Sequence, residues 1–117
     1  MKVAAKVLVV DDDEALRLLC RVNLELEGFQ VNEASSVEQA DRALADRPDV
    51  VLLDVHLGGE DSSELIDRIH GAGLKVAVVT GSVDVSEYRA RADAVLSKPF
   101  LPGALVEVVR RLARVGE

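Results

Sequence analysis

The stretch that decides the fold runs from Val7 to Glu14 and reads V-L-V-V-D-D-D-E. It begins inside the mostly apolar segment Ala5–Val10, which is typical of a buried strand, and four acidic residues follow at once. Two carboxylates about 4 Å apart repel by roughly 4 kcal/mol at an effective dielectric near 20. We therefore expect this acidic run to lie on a solvated face, at a helix N-terminus or around a cation.

Composition restricts the class of protein. The chain has 117 residues, which corresponds to a single domain over 1–117, and its 49% hydrophobic and 30% charged content is that of a globular fold. A net charge of −7 argues against binding nucleic acid or an anionic membrane surface, and only three aromatic residues are available for stacking on bases. No apolar run reaches the ~20 residues of a membrane-spanning helix, and no signal peptide precedes the first strand.

Cys20 is the one cysteine, so no internal disulfide can form. A reducing compartment is the simplest interpretation, and we expect a cytoplasmic protein. Because Cys20 lies among leucines at helical spacing, we interpret it as a small core residue and not as a reactive thiol.

Strands and helices alternate five times along the chain. The predicted strands are Ala5–Val10, Phe29–Ala34, Val50–Leu53, Lys75–Val79 and Ala94–Ser97. The predicted helices are Glu14–Glu27, Val37 to about Asp46, Ser62–His70, Val85 to about Ala92, and Gly103–Val115, with a loop at Gly58 and Gly59. This order predicts an α/β fold with a doubly wound, five-stranded parallel sheet and helices on both faces.

Polar residues with complementary chemistry follow four of these strands. They are Asp11, Asp12 and Asp13 after the first strand, Asp54 after the third, Thr80 after the fourth and Lys98 after the fifth. Ligands bind at this carboxyl edge in open α/β sheets. Three carboxylates balanced by one lysine and a divalent cation predict a Mg²⁺ site, with Mn²⁺ also possible, beside a position for a phosphoryl group. Taken singly, Asp13 and Glu14 are better explained as residues that stabilise a helix start.

The arrangement resembles the receiver domain of two-component response regulators (CheY-like) over nearly the whole chain. The matching motifs are V-V-D-D-D, V-V-L-L-D-V-H-L with Asp54, V-V-T-G with Thr80, and L-S-K-P-F with Lys98. The resemblance implies a flavodoxin-like sheet of order 2-1-3-4-5 and a signalling phosphoacceptor, not an enzyme acting on other substrates. It also implies a histidine kinase or histidine phosphotransfer protein as the phosphoryl donor.

The resemblance also implies residue roles. Asp54 would be the phosphorylated nucleophile. Asp12, Asp54 and the backbone carbonyl of His56 would hold Mg²⁺, with Asp11 reaching the ion directly or through water. Thr80 and Lys98 would contact the phosphoryl group, and the peptide bond before Pro99 would be cis.

The chain departs from the family pattern in three places. Gly58 and Ser62 replace a proline and a glycine after the nucleophile, which predicts a more mobile loop. Val95 occupies the position of the aromatic residue that turns inward on phosphorylation. The stretch between Thr80 and Lys98 is short, so the fourth helix is predicted to be short or irregular.

Two other functions fit parts of the pattern. The D-x-D motif is shared with haloacid-dehalogenase-type phosphatases, in which Asp11 would be the nucleophile in place of Asp54. A pseudo-receiver would keep the fold and respond to protein contacts without phosphorylation. We expect no effector domain within these 117 residues, and the sequence leaves open a stand-alone receiver that acts on a downstream protein or a piece of a longer chain with its own effector domain.

Overall fold

A computed structural model describes residues 4–57, 60–81 and 86–113. Its main sheet consists of five parallel strands: β1 (Lys6–Val10), β2 (Gln30–Ala34), β3 (Val50–Asp54), β6 (Lys75–Thr80) and β7 (Ala94–Ser97). Their spatial order is β2-β1-β3-β6-β7. Since β6 and β7 are the fourth and fifth strands of this sheet, the predicted order 2-1-3-4-5 and the doubly wound fold class are confirmed. A separate antiparallel pair, β4 (His56–Leu57) and β5 (Glu60–Asp61), follows β3.

In the described residues, four α-helices connect the strands of the main sheet and a fifth follows β7. They are α1 (Glu14–Leu26), α2 (Val37–Ala43), α3 (Glu64–Gly71), α4 (Ser86–Arg91) and α5 (Pro102–Ala113). The Asp13 side chain accepts hydrogen bonds from the backbone N–H groups of Ala15 and Leu16, so Asp13 is the N-cap of α1, as the sequence predicts. Gly28, just after this helix, has a φ of 94°, which glycine adopts without steric cost.

The sheet separates two hydrophobic cores, because successive side chains of a strand point to opposite faces. On one side, Val7 and Val9 pack with Cys20 of α1 and Leu105 of α5. Burial raises the pKa of the Cys20 thiol to about 12, so this cysteine is a core residue and not a reactive thiol. The opposite core contains residues from β1, β3, β6 and α3, among them Leu8, Val10, Leu53, Ile66 and Val78.

Several predicted boundaries differ from the observed ones. The second helix ends at Ala43 and continues as one turn of 3₁₀-helix over Leu44–Asp46, after which Arg47 has a left-handed φ of 53°. The third helix begins at Glu64 and not at Ser62, because Ser62 turns back to the end of β3. The pair β4–β5 was not predicted, since strands of two residues carry no detectable pattern.

Other predictions fall partly on residues that the structure does not describe. The loop at Gly58 and Gly59, the start of the fourth helix at Val85 and the end of the last helix at Val115 lie outside the described residues. Within them, α4 covers six residues, and the predicted shortness of the fourth helix stays a prediction because its start adjoins the residues that are not described. None of the helices in the described part of the chain combines the length and the apolar character needed to span a bilayer.

Candidate functional site

The carboxyl edge of the main sheet brings the predicted site residues together. Asp11 follows the last residue of β1, and its N–H donates to the carbonyl of Ala34 at the end of β2 (3.0 Å). Asp54 ends β3 and Thr80 ends β6, while the N–H of Lys98, just past β7, donates to the Thr80 carbonyl (2.8 Å). The parallel register therefore delivers all four residues to one edge, as the sequence predicts.

Three carboxylates form the centre of this site. Asp11, Asp12 and Asp54 each offer an oxygen, and these oxygens all lie within 4.8 Å of one another. Asp11 and Asp54 are buried, with 3% and 5% of their surface exposed, whereas Asp12 is exposed. One oxygen of each buried carboxylate is held by a backbone N–H: Asp13 donates to Asp11 Oδ1 (2.9 Å) and His56 donates to Asp54 Oδ1 (3.1 Å).

Lys98 faces the remaining oxygens of the two buried carboxylates. Its Nζ lies 3.1 Å from Asp11 Oδ2 and 3.5 Å from Asp54 Oδ2. Burial alone would lower the pKa of Lys98, but hydrogen bonds and charge attraction from Asp11 and Asp54 outweigh burial, so its pKa is raised. The ammonium is therefore charged at neutral pH. The Lys98–Pro99 peptide bond is cis, in agreement with the geometry that the resemblance implies.

The electrostatics of Asp11 show that one lysine does not neutralise the cluster. Burial raises the pKa of Asp11 most strongly, and repulsion from Asp54 raises it further. The Asp13 N–H and Lys98 act in the opposite direction, yet the pKa of Asp11 stays above its ordinary value. The carboxylate form of Asp11 is thus less favoured than that of a free aspartate, and further positive charge nearby would favour it.

This charge balance fits a divalent cation. Counted over these four side chains alone, the carboxylates carry −3 and the ammonium +1, and one Mg²⁺ or Mn²⁺ would bring the sum to zero. The ligands on offer are carboxylate oxygens, without a cysteine or a histidine side chain in the group, and hard divalent cations prefer such oxygens. Asp11, Asp12 and Asp54 are therefore the residues that would hold the ion.

Thr80, Val95 and His56 lie around this centre. Thr80 is completely buried at the end of β6. Val95 is half-buried in β7, two residues before the end of that strand, so an aliphatic side chain occupies the predicted switch position. The His56 side chain is exposed, and the connection of this residue to the site runs through its backbone N–H to Asp54.

Sequence reasoning missed the contribution of Ser62 to the site. Ser62 is 1% exposed, its Oγ donates to the backbone carbonyl of Asp54 (2.6 Å), and its N–H donates to the carbonyl of Val55 (2.8 Å). The sequence marked Ser62 only as a departure from glycine in a loop. No local pattern indicates that a serine eight positions after Asp54 folds back onto it.

An open parallel sheet with an acidic cluster and a lysine at its carboxyl edge defines a CheY-like receiver. A family model of the response regulator receiver domain matches residues 7–110, and the chain belongs to this family. Receiver domains of response regulators are signalling domains of two-component systems.

Relatives agree with this assignment. The chain is 38% identical to the C4-dicarboxylate transport transcriptional regulatory protein DctD of Pseudomonas aeruginosa, over 94% of this chain and 25% of that protein. It is 37% identical to the response regulator MprA of Mycobacterium tuberculosis, over 95% of this chain and 51% of MprA. The chain thus spans a quarter to a half of the length of these two relatives.

Solved structures show the same fold. A CheY-like receiver domain protein from Methanospirillum hungatei superposes with a TM-score of 0.86 at 27% identity, covering 95% of this chain and 94% of that one. The receiver domain of NtrX from Brucella abortus gives a TM-score of 0.83 at 32% identity, covering 94% of this chain and 99% of the NtrX domain.

Proposed function

We propose that this chain is the phosphoacceptor of a two-component phosphorelay and that Asp54 takes the phosphoryl group in a Mg²⁺-dependent reaction. The observation that carries the proposal is the setting of Asp54. This buried carboxylate ends a central strand, lies beside two further carboxylates and has one lysine 3.5 Å away. Transfer of a phosphoryl group depends on positioning and on charge neutralisation more than on covalent help from other groups, and this site would supply both with a bound divalent cation and Lys98.

The reaction forms one bond and breaks one. A carboxylate oxygen of Asp54 attacks the phosphorus, a P–O bond forms, and the P–N bond of the phosphohistidine donor breaks as the imidazole leaves with its electron pair and takes up a proton. The His56 N–H holds Asp54 Oδ1, which orients the carboxylate for attack. Mg²⁺ would supply positive charge to the phosphoryl oxygens and to the carboxylates, with the His56 backbone carbonyl as a further ligand.

Lys98 and Thr80 would stabilise the phosphorylated form of Asp54. The Lys98 ammonium now pairs with Asp11 and Asp54, and it would move its contacts to a phosphoryl oxygen once Asp54 is esterified. Thr80, at the end of the neighbouring strand, would donate its hydroxyl to another phosphoryl oxygen. Asp11 would contribute to the metal site directly or through water.

The donor and the output are part of the same proposal. A histidine kinase or a histidine phosphotransfer protein would supply the phosphoryl group in the cytoplasm. Phosphorylation would change contacts with a downstream protein or with an effector domain, since curated relatives of this chain are two to four times as long. The domain assignment 1–117 and the cytoplasmic location stay predictions.

The alternative functions make different demands on the site. A phosphatase of the haloacid dehalogenase type would use Asp11 as the nucleophile in place of Asp54, and the match of residues 7–110 to the receiver family favours Asp54. A pseudo-receiver has no use for three converging carboxylates, whose repulsion costs stability without a cation.

Incubation with acetyl phosphate and Mg²⁺, followed by intact-protein mass spectrometry, tests the proposal. The wild type should gain the mass of one phosphoryl group, and Asp54→Asn should gain none. Asp49→Asn, at the opposite edge of the sheet, is the matched control and should behave as the wild type. A mass gain that persists in Asp54→Asn would point to Asp11, and no gain in the wild type would favour a pseudo-receiver.

A further inference from the structure

A side chain from α1 reaches back to the backbone of the acidic cluster. Arg17 lies one turn into α1, and its Nη1 donates to the backbone carbonyl of Asp11 at 2.7 Å. The guanidinium is largely buried, with 15% of the side chain exposed. This contact joins the helix to the turn that carries two of the three clustered carboxylates.

The Arg17 guanidinium is itself held by a partner on the sheet. Its Nε donates to Glu33 Oε1 of β2 at 3.0 Å, and Arg21, one turn further along α1, donates to Glu33 Oε2 at 2.6 Å. The hydrogen bond from Arg21 lowers the pKa of Glu33 most strongly, and burial opposes it, but the hydrogen bond from Arg17 and the charges of both arginines lower the pKa further, so Glu33 is ionised at neutral pH. Arg17 therefore has little freedom to leave the Asp11 carbonyl.

The bond from Arg17 acts on a peptide unit that two site residues share. The carbonyl of Asp11 belongs to the same planar unit as the N–H of Asp12. The rest of Asp11 is fixed by other groups: its N–H by Ala34, its Oδ1 by Asp13 and its Oδ2 by Lys98. The direction of this carbonyl is set by the ψ angle of Asp11, and a change in that angle would turn the Asp12 side chain relative to Asp11.

We propose that Arg17 is a positioning residue of the metal site, which orients the Asp11–Asp12 peptide so that both carboxylates face one divalent cation. This inference rests on the proposed Mg²⁺-dependent function. Groups that orient metal ligands from the outside typically contribute 10–100-fold to metal affinity. Because Arg17 holds the backbone and not a carboxylate, we expect an effect near the lower end, about tenfold.

The direction of the change in Mg²⁺ affinity distinguishes a positioning role of Arg17 from the effect of its charge. Arg17 is a cation close to a site for cations, so loss of its charge alone would strengthen Mg²⁺ binding. Loss of orientation would weaken Mg²⁺ binding. The two explanations therefore predict opposite changes in the dissociation constant.

Isothermal titration calorimetry with Mg²⁺ at constant ionic strength tests the positioning role. Arg17→Met is the main variant. Arg21→Met is the matched control, because Arg21 lies on the same helix and binds the same glutamate without contacting Asp11. The Mg²⁺ dissociation constant should rise about tenfold in Arg17→Met and stay within about twofold of the wild type in Arg21→Met. Arg17→Lys, which keeps the charge and one donor, should recover part of the affinity.

A second measurement needs no metal and covers the case in which Arg17→Met loses stability. In the metal-free protein, amide hydrogen exchange at Asp13 reports the bond to Asp11 Oδ1. Exchange at Asp13 should accelerate in Arg17→Met and in Arg17→Lys, relative to amides in the middle of β3, and should not change in Arg21→Met.

The outcomes distinguish the two proposals. A wild type that binds no Mg²⁺ would overturn the proposed function. In that case, amide hydrogen exchange at Asp13 would be the measurement that shows whether Arg17 orients the turn. A wild type that binds Mg²⁺, with unchanged or tighter binding in Arg17→Met, would overturn the positioning role and leave the proposed function intact. Equal weakening in Arg17→Met and Arg21→Met would show that only the ion pairs with Glu33 matter.

Discussion

Aspartates at the two edges of the main sheet have opposite electrostatic surroundings. At the amino edge, Asp93 accepts hydrogen bonds from the Val76 N–H (2.9 Å) and from His70 (2.8 Å), and Lys75 lies 3.9 Å away. At the carboxyl edge, three carboxylates converge, and Lys98 contacts two of them, Asp11 and Asp54. Asp93 therefore has three donor or cationic groups around it, whereas Asp11 and Asp54 share one lysine.

The pKa values of Asp93 and Asp11 are shifted in opposite directions, as these surroundings lead one to expect. Burial acts to raise the pKa of Asp93, but the bonds from Val76 and His70 outweigh it, so the pKa is lowered. Burial also dominates at Asp11, and there the neighbouring Asp54 adds to it, so the pKa is raised. An acid with several donors stabilises the fold, whereas a buried acid with a raised pKa marks a candidate functional site, which here is the proposed cation site.

The largest expected difference between the edges concerns metal affinity. Asp12→Ala should weaken Mg²⁺ binding by more than about a hundredfold, because outer groups alone contribute 10–100-fold. Asp93→Ala, which removes the half-buried acid of the other edge, should leave the Mg²⁺ dissociation constant unchanged. Isothermal titration measures both. Equal binding by Asp12→Ala and the wild type would show that the carboxylates serve only as helix-start residues.

The next largest effect is on the free energy of unfolding. It tests whether the backbone at the carboxyl edge depends on its side-chain hydrogen bond from Ser62. Ser62→Ala removes the donor to the buried carbonyl of Asp54 and should cost about 1–3 kcal/mol, since a buried acceptor is left unpaired. Urea denaturation measures the loss. Ser36→Ala, which removes the N-cap bond of α2 to Gln39 on the surface, is the comparison and should cost about 1 kcal/mol. No loss in Ser62→Ala would show that another group replaces the hydroxyl.

The smallest effect is the pH dependence of stability. The pKa of Asp93 is lowered on folding, so its contribution is present above the ordinary aspartate pKa of about 4 and is lost as the pH falls through the lowered value. Asp93→Asn should therefore lose less stability than the wild type on acidification, by under about 1 kcal/mol because Asp93 is partly exposed.

The pH dependence of stability that Asp11 contributes should have the opposite sign to that of Asp93. Its pKa is raised, so its contribution is present below the ordinary value and is lost as the pH rises through the raised value. Asp11→Asn should be at least as stable as the metal-free wild type at neutral pH. Denaturation at several pH values measures both variants, and parallel curves for the two would contradict the contrast between the edges.

Much of the fold could be predicted from the sequence because its signals are local. The apolar run Val50–Leu53, the N-cap at Asp13 and the stop at Gly28 each act within a few residues. The short pair β4–β5 and the end of α2 at Ala43 could not be predicted, because two-residue strands and a single left-handed residue leave no periodic pattern.

The sequence by itself determined which residues meet at the carboxyl edge, since parallel strands end on the same side and each polar residue directly follows its own strand. Only the tertiary structure decided how those residues are held. Arg17 binds the Asp11 carbonyl, Ser62 binds the Asp54 carbonyl, and Lys98 divides its contacts between two acids. Hydrogen bonds act over about 3 Å in space, and the partners of Lys98 lie 87 and 44 residues away along the chain, so no sequence spacing reveals them.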